Sequence, residues 1–149
     1  MKNYRLRIIK KEDLDDCIKL SRDSWPNWWE KNRILGKKHI KKCIKENHGL
    51  VAIIDNKVNA FLIWDQLWNK IHLQDIHVEK RYQRKMIGKR LLEKMIKIGK
   101  KEGLKGIISD CDIKNKVSIL FHIKNKFKKC GYIKKNWDNE DSFVFSRKI

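Results

Sequence analysis

Hydrophobic residues recur along the chain with two different spacings, one typical of strands and the other typical of helices. Short alternating or continuous apolar runs predict strands at 4–9, 49–54, 58–68, 70–79, 104–110, 132–137 and 142–147. Apolar residues three or four positions apart predict helices at 12–22, 37–47, 88–103 and 116–127. The resulting element order, βααβββαβαββ, predicts a chain of the α/β (α+β) class.

Two interruptions of this pattern have recognisable chemistry. The segment 24–29 contains Pro26, the one proline of the chain, together with three tryptophans. Because it breaks the helical spacing, we predict an aromatic loop between the first two helices. The residues Asp55, Asn56 and Lys57 stand between two strand-like runs, and their turn chemistry predicts a hairpin there.

The length and composition exclude several classes of protein. At 149 residues the chain has the size of one domain. It is 41% hydrophobic and has six tryptophans, which is too much apolar material for a disordered chain. Its longest apolar runs are strand-sized, far short of the roughly 20 residues of a membrane span, and the amino terminus has no apolar signal segment. We expect a single domain, 1–149, with no membrane partner and no signal peptide.

The charge raises a polyanion as a possible partner. Basic residues outnumber acidic ones by 37 to 18, which gives a net charge of +19. However, 29 of these basic residues are lysine and 8 are arginine, whereas surfaces that read bases depend on the two-pronged hydrogen bonding of arginine. We therefore favour a solvated basic surface and expect no nucleic-acid partner, with a polyanion site as the alternative.

The four cysteines, Cys17, Cys43, Cys111 and Cys130, are far apart and form no C-x-x-C motif. Zinc sites and secreted disulfide frameworks use more closely paired cysteines. We expect no metal and a reducing, cytoplasmic location.

The most informative motif is a basic turn between a strand and a helix. The strand that ends near Val78 runs through this turn into the amphipathic helix that begins at Gly88. Unpaired backbone N–H groups and the positive end of the helix dipole make such a turn suitable for a diphosphate, and a plain helix start with solvated lysines is the alternative. The run from Gln83 to Gly88 resembles the Q/R-x-x-G-x-G/A acetyl-CoA signature of the GNAT superfamily of N-acetyltransferases, with Met86 replacing the first glycine.

A second segment, 115–127, is similar to the N-x-x-A/S-x-x-F-Y-x-K-x-G-F helix of the same superfamily, with His122 for Tyr and Lys126 for Gly. Since both motifs occur in the predicted element order, the resemblance covers essentially the whole chain. It implies the GNAT fold, a single mixed, mostly antiparallel, twisted sheet of six or seven strands flanked by about four helices. The stretch from Trp68 to Gly88 also looks like streptothricin acetyltransferases.

The resemblance implies direct transfer of an acetyl group from acetyl-CoA, as cosubstrate, to a primary amine. Such a reaction needs a base for the ammonium and an acid for the departing thiolate. His72 is at the position where several members carry a Glu or His base, and Asp75 is the next candidate. His122 takes the place of the Tyr that usually protonates the thiolate; for both histidines, packing or solvation alone is the alternative. The residues implied to bind acetyl-CoA are Ile76, His77, Val78, Gln83, Arg84, Lys85, Met86, Ile87, Gly88, Lys89, Asn115 and Lys124.

In GNAT enzymes the acceptor pocket is formed by the loop between the first two helices and the connection between the last two strands. Aromatic faces and carboxylates, which bind amines by cation–π and charge contacts, occur in both places here. The alternative is that the tryptophans are core residues and the acidic run is a solvated turn. The predicted acceptor residues are Trp25, Trp28, Trp29, Glu30, Glu140 and Asp141.

We therefore expect an N-acetyltransferase for a small cationic amine, such as an antibiotic or a polyamine. The alternatives are a protein N-terminal or lysine N-acetyltransferase and a non-catalytic GNAT-like module that binds acyl-CoA. A homodimer is left open.

Overall fold

The computed structural model describes residues 3–149, which form seven strands and four α-helices. The strands are β1 Arg5–Ile8, β2 Gly49–Ile54, β3 Lys57–Leu67, β4 Lys70–Val78, β5 Gly106–Asp112, β6 Lys128–Trp137 and β7 Glu140–Lys148. The helices are α1 Leu14–Ser24, α2 Pro26–Lys45, α3 Ile87–Lys101 and α4 Lys116–Lys124. The predicted element order is confirmed.

The seven strands form one mixed sheet in the order β1-β2-β3-β4-β5-β7-β6. Strands β4 and β5 are parallel, with Ile71 opposite Ile107, and they are connected through α3. The pairs β1–β2, β2–β3, β5–β7 and β6–β7 are antiparallel. This confirms the predicted fold class, a mostly antiparallel mixed sheet with about four helices.

The residues divide into two compact units. The first contains residues 3–65 together with Asp75–Met95, and its buried cluster includes Cys17, Trp29 and Phe61. The second contains Gln66–Gln74 together with Ile96–Ile149. Its buried residues include Ile71, Leu73, Ile107, Phe127 and Phe145. The expected single domain remains a prediction.

The predicted aromatic loop at 24–29 was wrong, because α2 begins at Pro26. Proline is favoured at the first position of a helix, where its missing N–H has no helical partner to lose. Trp25, with φ −133° and ψ 63°, is the one residue between α1 and α2. A non-helical residue, Asn32, interrupts α2 farther on, and its side-chain amide donates to the carbonyl of Trp28.

The predicted hairpin at 55–57 is confirmed. Asp55 and Asn56 have φ of 50° and 62°, the left-handed conformation that a tight hairpin turn requires. Helix α4 is shorter than predicted, because Lys126 also has a positive φ, 65°, and the helix ends at Lys124. Asp138, with φ 53°, turns the chain between β6 and β7.

Strands β6 and β7 are longer than predicted, and a two-residue turn joins them. Glu140 and Asp141 therefore belong to β7, so their expected place in the connection was wrong. Strand β6 is the last strand of the sheet order, and nine of its ten residues are exposed. Among residues 3–149, no helix is long and apolar enough to cross a membrane.

Candidate active site

The turn 83–89, here called the pyrophosphate turn, has an irregular backbone that leads into α3. The Gln83 side-chain amide donates to the carbonyl of Val78 at 3.0 Å and ties the turn to the end of β4. Arg84 and Met86 have φ of 59° and 68°. The N–H of Arg90 then donates to the carbonyl of Met86 at 3.0 Å, which is the first helical contact of α3.

Met86 occupies the position of the first glycine of the acetyl-CoA signature. A left-handed conformation costs an ordinary residue about 1–2 kcal/mol, whereas glycine adopts it freely. The turn thus has the backbone conformation that glycine favours, although its side chain is that of methionine. The Met86 side chain is exposed, so it avoids a clash with the core.

His72, the predicted base, lies in β4 with its side chain 31% exposed. Its Nδ1 accepts a hydrogen bond from the Gln74 amide at 2.8 Å. The neutral imidazole therefore carries its proton on Nε2, which lies 3.9 Å from Oδ1 of Asp110. To act as a base the ring has to exchange its Gln74 contact for a new proton on Nδ1, and the Asp110 carboxylate then stabilises the imidazolium that forms.

Asp110 in β5 lies beside His72 and is a candidate site residue that the sequence analysis missed. Its Oδ2 accepts from the indole N–H of Trp137 at 2.9 Å and from the Asn136 amide at 3.0 Å. Burial raises the pKa of Asp110, but His72 and these N–H donors outweigh burial and hold the pKa below 3.8. The parallel register puts His72 opposite Ile108, two residues before Asp110, and this pairing was the missing signal.

A second histidine and aspartate lie close together at His77 and Asp75. The His77 Nδ1 is 3.3 Å from Oγ of Ser24, and its Nε2 is 3.8 Å from Oδ1 of Asp75. The imidazole packs edge-on against Trp25 and is tilted on Phe61, with ring centroids 4.8 and 5.1 Å away. Its side chain is 5% exposed. The main-chain contact predicted for His77 with the cosubstrate remains a prediction.

His122 lies in α4 and is fully partnered. Its Nδ1–H donates to the carbonyl of Ser118 at 2.7 Å, and its Nε2 accepts from the Ser109 hydroxyl at 2.9 Å. The ring stacks on Phe145 with centroids 4.5 Å apart. Burial lowers the pKa of His122, so the neutral ring is favoured. Its role as acid remains a prediction, and it requires a proton on Nε2, the nitrogen that here accepts from Ser109.

Two other predicted cosubstrate residues, Asn115 and Lys124, lie at the two ends of α4. Asn115 caps the helix, because its Oδ1 accepts from the N–H of Ser118 at 3.1 Å. Lys124 stands at the last position of the helix. Their binding roles remain predictions.

The predicted acceptor tryptophans differ in exposure. Trp29 is buried and donates its indole N–H to Ser21 Oγ at 2.7 Å, which attaches α2 to α1. Trp28 packs edge-on against Trp29, with ring centroids 5.6 Å apart. Trp25 is exposed, and Glu30 lines a hollow along the kinked part of α2. Of these four residues, Trp25 and Glu30 are exposed, Trp28 is half-buried and Trp29 is buried.

The predicted acidic acceptor residues both have partners. Glu140 forms an ion pair with Lys114 at 2.9 Å. Asp141 accepts hydrogen bonds from the Tyr132 hydroxyl and from the N–H of Lys135, and these two donors lower its pKa. Binding of an amine by these carboxylates remains a prediction, and it requires exchange of those partners.

Glu46, His48 and Asp65 form a third group of polar side chains, with donor atoms within 4.8 Å of one another. The ammonium of Lys42 lies 3.3 Å from Glu46 and 3.0 Å from Asp65. This lysine already supplies positive charge to both carboxylates, so the group has the contacts of a structural ion-pair network.

The model of the acetyltransferase (GNAT) family matches residues 14–127. The spermidine N(1)-acetyltransferase of Thermoplasma acidophilum is 28% identical, over 85% of this chain and 89% of its own. The N-alpha-acetyltransferase of Saccharolobus solfataricus is 27% identical, over 99% of this chain and 95% of its own. The crystal structure of the PaiA N-acetyltransferase from Thermoplasma acidophilum, in complex with coenzyme A, has a TM-score of 0.83 at 23% identity and covers 99% of this chain and 100% of that one. Because the family model matches well over half of the sequence, this chain belongs to the GNAT acetyltransferase family and is an N-acetyltransferase.

Proposed function

We propose that this enzyme transfers the acetyl group of acetyl-CoA to a primary amine of a small cationic acceptor of the polyamine type. The observation that carries the proposal is His72, a solvent-accessible imidazole with the Asp110 carboxylate 3.9 Å away. The class of acceptor is supported by the likeness to a spermidine N(1)-acetyltransferase.

The reaction needs two proton movements. The Gln74 amide moves off Nδ1 of His72, this nitrogen takes one proton from the acceptor ammonium, directly or through water, and the neutral amine nitrogen attacks the thioester carbonyl. Collapse of the tetrahedral adduct breaks the carbon–sulfur bond, and the second amine proton goes to the thiolate. Asp110 stabilises the positive imidazole during the first of these movements.

The pyrophosphate turn fits acetyl-CoA by its backbone and charge. Backbone N–H groups at the start of α3 and the side chains of Arg84, Lys85 and Lys89 supply donors and positive charge for phosphate oxygens. A Gly88→Asp substitution adds bulk and a negative charge there, so it should abolish acetyl-CoA binding, whereas Arg84→Ala should weaken it modestly. Calorimetric titration with acetyl-CoA measures both, and unchanged affinity in the Gly88 variant contradicts this site.

The acceptor is tested by measuring CoA release from acetyl-CoA with spermidine, putrescine, a streptothricin-type antibiotic and peptides with free N-termini. The proposal expects the highest kcat/KM with a polyamine. The same assay with the His72→Ala variant, at the same enzyme and acetyl-CoA concentrations, is the control that tests the proposed base. If no amine in the panel releases CoA above the rate with water, the proposal fails.

A protein N-terminal acetyltransferase is the second candidate. It is favoured by the N-alpha-acetyltransferase relative, whose alignment covers 99% of this chain. A peptide acceptor with kcat/KM at least tenfold above that of spermidine would support this candidate against the polyamine enzyme.

A further inference from the structure

We assign the proton of the neutral His77 ring from the contacts of its neighbour Ser24. The Ser24 Oγ lies 3.3 Å from Nδ1 of His77 and 3.3 Å from the carbonyl of Leu20, and with the hydroxyl proton donated to that carbonyl the oxygen accepts from the Nδ1–H. A neutral imidazole with its proton on Nδ1 has a lone pair on Nε2. This lone pair is on the side of the ring that faces Asp75, whose Oδ1 lies 3.8 Å away.

Two acceptors therefore face each other without a donor between them. The Nε2 atom is buried and has no hydrogen-bond partner, in a side chain that is 5% exposed. Asp75 has no lysine or arginine ion-pair partner among residues 3–149. A buried acceptor without a donor is unfavourable, and an adjacent carboxylate makes the site strongly attractive to a positively charged donor.

The His48 ring differs from the His77 ring in the ion-pair partner of its neighbouring carboxylate. Its Nδ1 is also buried and lies 3.4 Å from Glu46, but that carboxylate already has the Lys42 ammonium as an ion-pair partner at 3.3 Å. Among residues 3–149 the His77 pair has no such lysine, so an ammonium from outside the chain can supply the donor.

We propose that His77 Nε2 and Asp75 form a subsite for a primary ammonium group, which donates one N–H to each. This deepens the proposed function and rests on it, because the ammonium would belong to the cationic acceptor. A nitrogen about 2.8 Å from both acceptors fits between atoms 3.8 Å apart. Asp75, with its side chain 18% exposed, is the more accessible of the two groups, so the proposal has the ammonium approach from its side. Trp25, packed on the His77 ring, adds an exposed aromatic face beside this subsite.

Nitrogen-15 NMR of the histidine rings in the wild-type protein tests the subsite directly, with His77 assigned from a His77→Asn variant. Before addition of spermidine, the Nε2 resonance of His77 should lie in the range of an unprotonated nitrogen. Spermidine should move it upfield and leave the ring nitrogens of His39 in place. A protonated Nε2 in the free protein, or no movement at saturating spermidine, overturns the proposal.

Calorimetric titration with spermidine, without acetyl-CoA, gives the second measurement. Asp75→Asn should weaken binding about tenfold, since it removes the charged acceptor. His77→Asn, which keeps a donor for Ser24 and removes Nε2, should weaken it severalfold. Asp65→Asn is the matched control, because that carboxylate already has Lys42 as its partner, and it should leave the affinity unchanged.

The outcomes separate the subsite from the proposed function. If spermidine binds in a way that depends on Asp75 but is not acetylated, the subsite stands and the proposed acceptor fails. If spermidine is acetylated with the same KM in Asp75→Asn, His77→Asn and Asp65→Asn, the proposed function stands and the subsite is wrong. A wild-type protein that does not bind spermidine overturns the subsite as well.

Discussion

The two histidine–aspartate pairs have nearly the same separation, but they differ in the protonation of the ring nitrogen that faces the carboxylate. This nitrogen carries a proton in one pair and a lone pair in the other. In the pair His72–Asp110, Gln74 donates to Nδ1, so the proton on Nε2 faces the carboxylate at 3.9 Å. In the pair His77–Asp75, Nδ1–H faces Ser24, so a lone pair faces the carboxylate at 3.8 Å. In each pair, the neighbour that contacts Nδ1, Gln74 or Ser24, thus sets whether the Nε2 that faces the carboxylate carries a proton.

The two carboxylates also differ in the number of N–H donors around them. Asp110 receives N–H donors from Trp137 and Asn136, and it can stabilise positive charge on His72 without needing a further donor. Asp75 has no N–H or ammonium donor of this kind among residues 3–149. The comparison therefore supports the two proposals, proton transfer at the first pair and recognition of an ammonium at the second.

The largest expected effect is on turnover at the first pair. His72→Ala should lower kcat about 10²- to 10⁴-fold below pH 8, where the acceptor carries its proton. The deficit should shrink at higher pH, because the amine then needs no base. A pH series of kcat measures this, with His39→Gln in α2 as the control that should match wild type. An equal deficit at every pH would assign His72 to structure.

The second effect separates the two carboxylates. Asp110→Asn should lower kcat about tenfold with little change in the amine KM, because it acts on the proton transfer. Asp75→Asn should raise the amine KM about tenfold with little change in kcat. Steady-state kinetics with spermidine and saturating acetyl-CoA measure both. If both variants change the same kinetic parameter, the two carboxylates do not have the different roles proposed for them.

A third histidine provides the reference in which both nitrogens are satisfied. Burial lowers the pKa of folded His122, so as the pH falls the unfolded chain binds this proton first, near pH 6.5. The stability contribution is complete above about pH 6.5 and is lost below it, at up to about 1.4 kcal/mol per pH unit. Urea unfolding between pH 5 and 8 measures the loss.

The control for this pH dependence is the double variant His122→Phe with Ser109→Ala, which replaces both hydrogen-bonding partners by apolar groups. Its stability should change less over the same range. Carboxylates with lowered pKa values, such as Asp110, lose their contribution only near and below pH 3.8 and do not interfere. An identical slope in both proteins would contradict the role given to burial.

The smallest effect concerns the backbone of the pyrophosphate turn. Met86→Gly removes the strain of a positive φ but adds freedom to the unfolded chain, so the net gain should be about 0.5–1 kcal/mol. Because neither histidine pair is altered, kcat should not change. Thermal unfolding and the spermidine assay measure the two quantities, and a changed kcat would link the turn to the chemistry.

Local patterns predicted the elements but not every boundary. The stripe of apolar residues in α3 and the Asp55-Asn56 turn depend on neighbours in sequence, so both were found. The start of α2 was missed, because tryptophans around Pro26 look like a loop until the contact between Trp29 and Ser21 is known.

The candidate site shows the same limit. His72 was chosen as the candidate base by its distance from a local motif, and its role stays a prediction, whereas its neighbour Asp110 is 38 positions away and is brought near by strand pairing. The assignment of the ring proton of His77 to Nδ1 depends on Ser24, which is 53 positions away in sequence. Such contacts are set by register and packing, and no spacing in one sequence records them.

The exposed edge of β6 has a consequence for how molecules of this enzyme meet one another. An uncovered strand of ten residues is a template on which a second chain can add and aggregation can start. Four lysines, Lys128, Lys129, Lys134 and Lys135, lie on this strand and repel the same edge of another molecule. Part of the +19 charge thereby acts as a colloidal barrier, and because salt shortens the range of the repulsion, concentrated stocks should be kept at low ionic strength.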